Sequence, residues 1–335
     1  MIVTNSLSGG GAERSMNLVC NELTNRGWPV SLVPINSGPE DQVIPECVVF
    51  PLQRLWHGGP IDTLFAIWKF NQVVRAWKPD VLVLNCDLPE LFGATVCGSR
   101  KLVVVEHSAI PWFQRKALGK IVRKILIFRK TTWVSVSNHL SIWSTNQIPT
   151  AVIQNPIINE APTKTRIVGN EIRRLLYIGR LSVEKRPELA MKIAQLTHHQ
   201  LIIIGDGSLR PYLEELVAQE SLKVTFKGRL ENPWAEIQSG DLLIVPSMSE
   251  GDGLVIVEAM QAQVPLLIAD IPDLRRFEFP DRNYAQNAED FANRIIHYSE
   301  DLSDLLIPSE KATAIIAPRS LATVGEGWTI FLNTF

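Results

Sequence analysis

Glu250 and Glu258 stand eight positions apart in the span Ser247 to Pro265, on either side of a short turn carrying Gly251, Asp252 and Gly253. A Gly-x-Gly turn lets backbone amides come close to a ligand. The apolar run Leu254 to Met260 after it reads as a buried helix whose unpaired N-terminal N–H groups favour an anion. Glu258 falls about one turn inside that helix. Immediately upstream, Asp241 to Ser247 is a continuous apolar run ending in Pro and Ser, the pattern of a parallel strand buried on both faces. The first carboxylate therefore sits at the C-terminal mouth of a strand, the edge at which open α/β sheets bind ligands. Taken alone, the pair fits equally a glutamate complementing a helix dipole and another on a solvated helix face.

The elements that must position these residues form two successive series of strands and helices. The first has a strand near Ile2, a helix from about Ala12 to Arg26 ended by Gly27, and a helical stretch near Ile61 to Trp77. Its further strands are Val30 to Ile35, Val81 to Asn85, Lys101 to His107 and Trp133 to Ser137. After a polar stretch, Asn155 to Arg173, which reads as an interdomain linker, the pattern restarts at Leu175 with the segments LLYIG, LIIIG, VTFKG, LLIVPS and PLLIA. Strands separated by helices imply parallel sheets with crossovers. A chain of 335 residues also exceeds what one core usually supports. The expected fold class is α/β, with two doubly wound, Rossmann-like domains facing across a cleft.

Four segments, in register along nearly the whole chain, resemble the retaining, GT-B fold glycosyltransferases of family 4 (glycosyl transferases group 1). They are GGGAER at Gly9 to Arg14, YIGRLSVEK at Tyr177 to Lys185, IIIGDGSLRPYLEEL at Ile202 to Leu216 with VTFKGRL at Val224 to Leu230, and Glu-x7-Glu followed by Ala-Met. The resemblance implies an N-terminal acceptor-side domain over residues 1–160 and a nucleotide-sugar-binding domain over 161–319. It also implies a last helix, about 320–335 with Trp328, that crosses back to the first domain. The expected activity is metal-independent transfer of a sugar from a nucleoside diphosphate, UDP or GDP, to a hydroxyl of a lipid-linked cell-surface glycan, as in lipopolysaccharide or capsule synthesis. By the same resemblance, Arg180 and Lys185 bind the donor diphosphate, with Gly10 and Gly11 close to it and the amides of Gly253, Leu254 and Val255 covering its oxygens. Glu258 accepts from the ribose, Leu230 borders the base, and Glu250 and His107 reach the donor sugar as the catalytic pair. Retention is usually explained in this family by front-face attack in which the leaving phosphate takes the acceptor proton, so no side-chain nucleophile is expected. Asp252 replaces the usual aromatic and is a candidate for donor sugar selectivity. The usual Gly-rich turn after the last motif strand is replaced by ADIPDLRRF, Ala269 to Phe277. A GT-B-like nucleotide-sugar epimerase and a non-catalytic nucleotide-sugar-binding protein are the alternatives.

Composition agrees with a folded chain: 46% hydrophobic and 20% charged residues. No Asp-x-Asp pair occurs, so no metal and no cofactor is expected, and no nucleic acid partner. Cys20, Cys47, Cys86 and Cys97 lack Cys-x-x-Cys spacing and read as core thiols. No apolar stretch approaches the ~20 residues of a spanning helix, and no secretory signal is visible, so a cytoplasmic protein is expected. Net charge is −2 but uneven, about +5 over residues 1–159 and −7 over the rest. No acidic residue lies between His107 and Asn159. A basic helix near Gln114 to Lys130 is therefore expected to hold the enzyme at the anionic inner face of the plasma membrane. On a helical wheel Leu118, Ile121, Val122, Ile125 and Phe128 face the domain, and Lys116, Lys120, Arg123, Lys124 and Lys130 face outward with Ile127 among them.

Overall fold

The structure is a computed structural model that describes residues 1–7, 10–36, 46–55, 58–98, 100–113, 115–140, 150–157 and 171–335. Gly9, Gln114, most of the expected linker and the expected boundary at 160/161 lie outside the described residues. The chain divides into two compact units, Met1–Ile157 with Pro318–Phe335, and Ile158–Ala317.

The first unit is a seven-stranded sheet in which every pairing is parallel. Its elements are β1 (Ile2–Thr4), α1 (Gly11–Asn25), β2 (Ser31–Pro34), β3 (Val48–Val49), α2 (Pro60–Trp77), β4 (Val81–Asn85), α3 (Asp87–Thr95), β5 (Lys101–Glu106), α4 (Lys116–Phe128), β6 (Thr132–Ser135) and β7 (Ala151–Val152). The strand order β3-β2-β1-β4-β5-β6-β7 reverses direction between β1 and β4, with Val3 registered against Val33 on one side and Leu84 on the other. Continuous Val, Leu and Ile runs form these strands because both sheet faces are covered. One face packs under α2, α3 and α4 through Phe70, Phe92, Val122 and Leu126, the other under α1 through Met16, Val19 and Leu23.

The second unit repeats the plan with β8 (Arg174–Ile178), α5 (Pro187–Thr197), β9 (Gln200–Ile204), α6 (Arg210–Glu220), β10 (Val224–Gly228), β11 (Asp241–Val245), α7 (Leu254–Gln261), β12 (Leu266–Ala269), α8 (Pro272–Arg275), β13 (Tyr284–Ala285), α9 (Ala288–His297) and α10 (Ser309–Ile316). Its order is β10-β9-β8-β11-β12-β13, again wholly parallel, and it reverses between β8 and β11. The final helix α11 (Leu321–Leu332) packs on α1 in the first unit, where Val324, Trp328 and Phe331 join the core.

α4 overturns three expectations. Its buried residues are Gly119, Val122, Arg123 and Leu126, whereas Leu118, Ile121, Ile125 and Phe128 are exposed. Arg123 is not on the outer face. It donates from Nε and Nη2 to Glu90 (2.9 and 2.6 Å) and from Nη1 to Glu106 (2.7 Å), while Trp112 Nε1 also donates to Glu90 (2.9 Å). Ile127 is half-buried and packs against the core beneath the helix instead of projecting among the lysines. The helical wheel fails because it equates apolar with buried. Here two carboxylates, 33 and 17 residues away, neutralise the arginine. Gly119 lets Trp112 lie against the helix, since a Cβ there would meet the indole at 2.3 Å. Burial pushes the Glu90 carboxyl up and that of Glu106 to about 7, against the opposing pull of Arg123.

The four cysteines are reduced, and Cys97 is exposed where a core thiol was expected. Cys20 and Cys47 meet with their sulfurs 2.7 Å apart. This contact and, after it, burial push the Cys20 thiol up, while the same contact lowers that of Cys47.

Candidate functional site

In a doubly wound sheet the loops leaving the two strands at the reversal point diverge to opposite faces and leave a crevice at their C-terminal ends. In the second unit those loops follow β8 and β11, and they carry Arg180, Lys185, Glu250, Asp252 and Gly253. A backbone bond from Met248 N–H to the Glu184 carbonyl, 2.9 Å, ties one loop to the other. Lys185 Nζ then lies 2.6 Å from Glu250 Oε1, and Ser247 Oγ donates to the same oxygen at 2.8 Å. Glu250 is buried, Lys185 is partly open to solvent and Arg180 is exposed. The fold thus brings a fixed cation and a fixed carboxylate together at the strand ends, with a second cation beside them in sequence.

The β8 loop is held from beneath. Tyr177, whose hydroxyl burial keeps protonated far above its ordinary range, donates to the Arg180 carbonyl at 2.8 Å. The Gly205 to Gly207 turn after β9 packs directly on its backbone, with Leu181 N–H donating to the Asp206 carbonyl at 3.0 Å. A Cβ on Gly205 would stand 2.0 Å from the Gly179 carbonyl oxygen, so the glycines of the GDG segment are required by close backbone approach.

The β11 loop is held from the side by residues that the sequence reading missed. Asp273 Oδ2 accepts from the Glu250 N–H at 2.9 Å and from Ser249 Oγ at 3.1 Å. Arg276 donates to the Asp252 carbonyl at 2.6 Å, and its guanidinium stands 3.8 Å from the Asp252 carboxylate. Both belong to ADIPDLRRF, the segment that departs from the family pattern. Asp252 is buried and faces Arg276. The only available signal was that charged residues replace a flexible turn, which does not say what they touch.

Gly253 is in the left-handed region, φ 62°, and caps α7. Ile256 N–H bonds back to the Gly253 carbonyl at 2.9 Å, so the amides of Leu254 and Val255 are the leading N–H groups of the helix. Within α7, Glu258 Oε2 accepts from Trp234 Nε1 at 3.1 Å. Trp234 lies in the short 3₁₀ turn Pro233–Glu236, which follows Leu230 in the chain. Leu230 itself is half-buried beyond the end of β10.

Gly10, Gly11 and His107 belong to the first unit. Gly10 caps α1 in the loop leaving β1, at that sheet's own reversal point, and Gly11 opens the helix. Buried Glu13 one turn on accepts from Asn5 Nδ2 at 2.9 Å. His107 is half-buried and follows Glu106 at the end of β5, so the Arg123 cluster fixes the strand end that carries it. Among the described residues no group of three or more His, Cys, Asp or Glu is placed to hold a metal ion. An open concavity of about 560 Å³ lined by Arg173, His198, His199 and Lys223 lies at the N-terminal edge of the second sheet, away from these residues.

Two family models divide the chain as the units do. The model described as Glycosyltransferase Family 4 matches residues 9–157, and the one described as Glycosyl transferases group 1 matches residues 161–313. The chain is 26% identical over 275 residues to a Campylobacter jejuni protein, covering 77% of this chain and 76% of that one. That protein is named GalNAc-alpha-(1->4)-GalNAc-alpha-(1->3)-diNAcBac-PP-undecaprenol alpha-1,4-N-acetyl-D-galactosaminyltransferase. This chain is also 30% identical over 249 residues to the sulfoquinovosyl transferase SQD2 of Arabidopsis thaliana, covering 64% of this chain and 48% of that one. In fold it is similar to Anabaena Alr3699/HepE, solved in complex with UDP and glucose, with a TM-score of 0.77, 17% identity and coverage of 100% and 99% of the two chains.

Proposed function

The chain belongs to the family 4, group 1 glycosyltransferases of GT-B fold, enzymes of glycan biosynthesis, and from that membership we propose that it is a retaining, metal-independent transferase. The donor is a nucleoside-diphosphate sugar, with UDP or GDP as the carrier, and the acceptor is a hydroxyl of a lipid-linked glycan. The observation that carries this reading is the pairing of Lys185 with Glu250 at the reversal point of the second sheet. Breaking the bond from the sugar to the diphosphate puts charge on the leaving oxygens, which preorganised cations and amide dipoles stabilise. Lys185, Arg180 and the amides of Gly253, Leu254 and Val255 supply them. Without a donor, Glu250 occupies Lys185. A bound diphosphate competes for the ammonium and releases the carboxylate to accept from donor sugar hydroxyls.

Glu258 orients the ribose and Leu230 borders the base. In the first unit His107 and the Gly10–Gly11 turn keep the roles the family resemblance gives them, towards the donor sugar and the diphosphate. The leaving phosphate takes the acceptor proton, so no side chain is asked to act as nucleophile. Asp252, held by Arg276, tunes which donor sugar fits. A lipid-linked acceptor is supported by the Campylobacter relative, whose name includes an undecaprenol diphosphate.

The test is incubation with a panel of UDP-, GDP- and ADP-sugars, with and without crude glycolipid, in EDTA. Acceptor-dependent nucleotide release unaffected by EDTA is the expected result. Sugar isomerisation without an acceptor would identify an epimerase, binding without turnover a non-catalytic protein, and activity only on adding Mn²⁺ or Mg²⁺ would reject the metal-free mechanism.

A further inference from the structure

Away from the candidate site, the first unit presents two apolar stripes to solvent. On α2, Ile61, Leu64, Phe65 and Trp68 recur at helical spacing, with Ile61 82% and Trp68 57% exposed. On α4, Leu118, Ile121, Ile125 and Phe128 do the same, with Phe128 88% exposed. The core does not need either stripe, because Ala66, Phe70 and Val74 complete the inner face of α2, and Val122 and Leu126 that of α4. Both helices cover the same face of the sheet and each packs on α3, so the stripes belong to the outside of one layer. Exposed apolar residues gathered in this way mark an interaction surface rather than scattered surface hydrophobes.

The surrounding charge identifies the partner. Lys116, Lys120 and Lys124 follow one another at four-residue spacing beside the α4 stripe, and all are exposed. Lys69 Nζ stands 5.5 Å from the Phe65 ring centre, and Lys116 Nζ 5.6 Å from that of Phe113. Asp62, the one acidic residue of α2, is engaged at the helix start by the Gly59 N–H at 2.9 Å, and α4 has no acidic residue. Aromatic and aliphatic stripes bordered by lysines, with Asp62 as the one carboxylate of the two helices, suit a helix lying in the headgroup region of a bilayer. A second copy of the chain suits it poorly, since an isologous contact would set these lysines against themselves. Among the described residues no helix is long and apolar enough to cross a membrane, which leaves docking on the surface.

We infer that the outer layer formed by α2 and α4 docks on an anionic lipid bilayer, with Trp68, Ile121, Ile125 and Phe128 entering the interface and Lys116, Lys120 and Lys124 meeting acidic headgroups. Arg123, buried in its ion cluster, takes no part. The inference does not rest on the transferase reading, since it concerns a surface outside the candidate site.

The experiment is co-sedimentation of the full chain with vesicles of phosphatidylcholine alone or mixed with phosphatidylglycerol, without donor or acceptor. Binding is expected with the anionic vesicles, weakly with the neutral ones, and is expected to fall as salt is raised. Each basic residue near an anionic leaflet is worth about fivefold, so Lys116→Glu/Lys120→Glu/Lys124→Glu should lower the partition constant by ~100-fold or more. At unchanged charge, Ile121→Ser/Ile125→Ser/Phe128→Ser should lower it by at least ~10-fold. These side chains are exposed, so both variants should melt like the parent. Equal recovery with neutral and anionic vesicles, or variants that partition like the parent, would overturn the proposal. So would a dimer in lipid-free solution that the serine substitutions dissociate while vesicle binding persists.

Discussion

Replacing Arg123 by methionine removes a guanidinium that makes three hydrogen bonds of 2.6 to 2.9 Å to two buried carboxylates. Methionine has a similar length but offers no donor, so Glu90 and Glu106 are left facing each other, with Trp112 Nε1 still donating to Glu90. Breaking a buried ion pair by deleting one partner costs about 3–5 kcal/mol, because the remaining charge is still desolvated. In a unit of this size 1 kcal/mol moves the melting temperature by about 2–4 °C, so a fall of ~6–20 °C is expected. The fall should be smaller near pH 5.5 than near pH 8, because Glu106, already pushed to about 7, relieves the repulsion by taking a proton. Arg123→Met/Glu90→Gln/Glu106→Gln should recover most of the loss, since no buried charge then remains. Thermal unfolding followed by circular dichroism at the two pH values measures all of this. A loss below ~1 kcal/mol, which is what a solvated surface arginine gives, would refute the reasoning, as would a triple variant no more stable than the single one.

Three further outcomes follow from the geometry. Lys185→Ala and Glu250→Ala should each lower transfer by ~10²–10³, because each removes a charged group held at the strand ends; initial rates within about threefold of the parent for both would remove them from the site. Burial raises the Glu106 carboxyl from its ordinary 4.5 to about 7, so the stabilising proton is fully present below pH 4.5 and lost as pH rises through 7. Melting temperature should therefore decline more steeply between pH 5.5 and 8 in the parent than in Glu106→Gln, and parallel slopes would exclude this linkage. The contact between Cys20 and Cys47 predicts that a mild diamide oxidation joins their peptides within one chain; a mass-spectrometric digest showing both thiols still free, or joined only between chains, would count against it.

Much of the fold was legible because it rests on local pattern. Continuous apolar runs gave β4, β8, β9 and β11 nearly to the residue, since strands buried on both faces admit little else. The short α3 and the two-residue strands β3, β7 and β13 were not, because their few residues carry no period of their own and are held by neighbours. Glu250, Lys185 and Arg180 were legible as chemistry at strand ends. Asp273, Arg276 and Trp234 were not, since their meaning lies in contacts to residues 23 to 24 positions away.

The sequence by itself determined two parallel α/β units, the glycine-bearing loops at their strand ends and the residue types those loops carry. Each follows from propensity and spacing over a few neighbours. Only the tertiary structure decided that Lys185 meets Glu250, that Arg123 belongs to the core and that the apolar side of α4 faces out. Those outcomes depend on which distant group supplies a countercharge or fills a space. A helical period shows that two faces differ, but the side turned inward is the one whose shape and charge the rest of the fold can satisfy, and for α4 that side contains a glycine and an arginine.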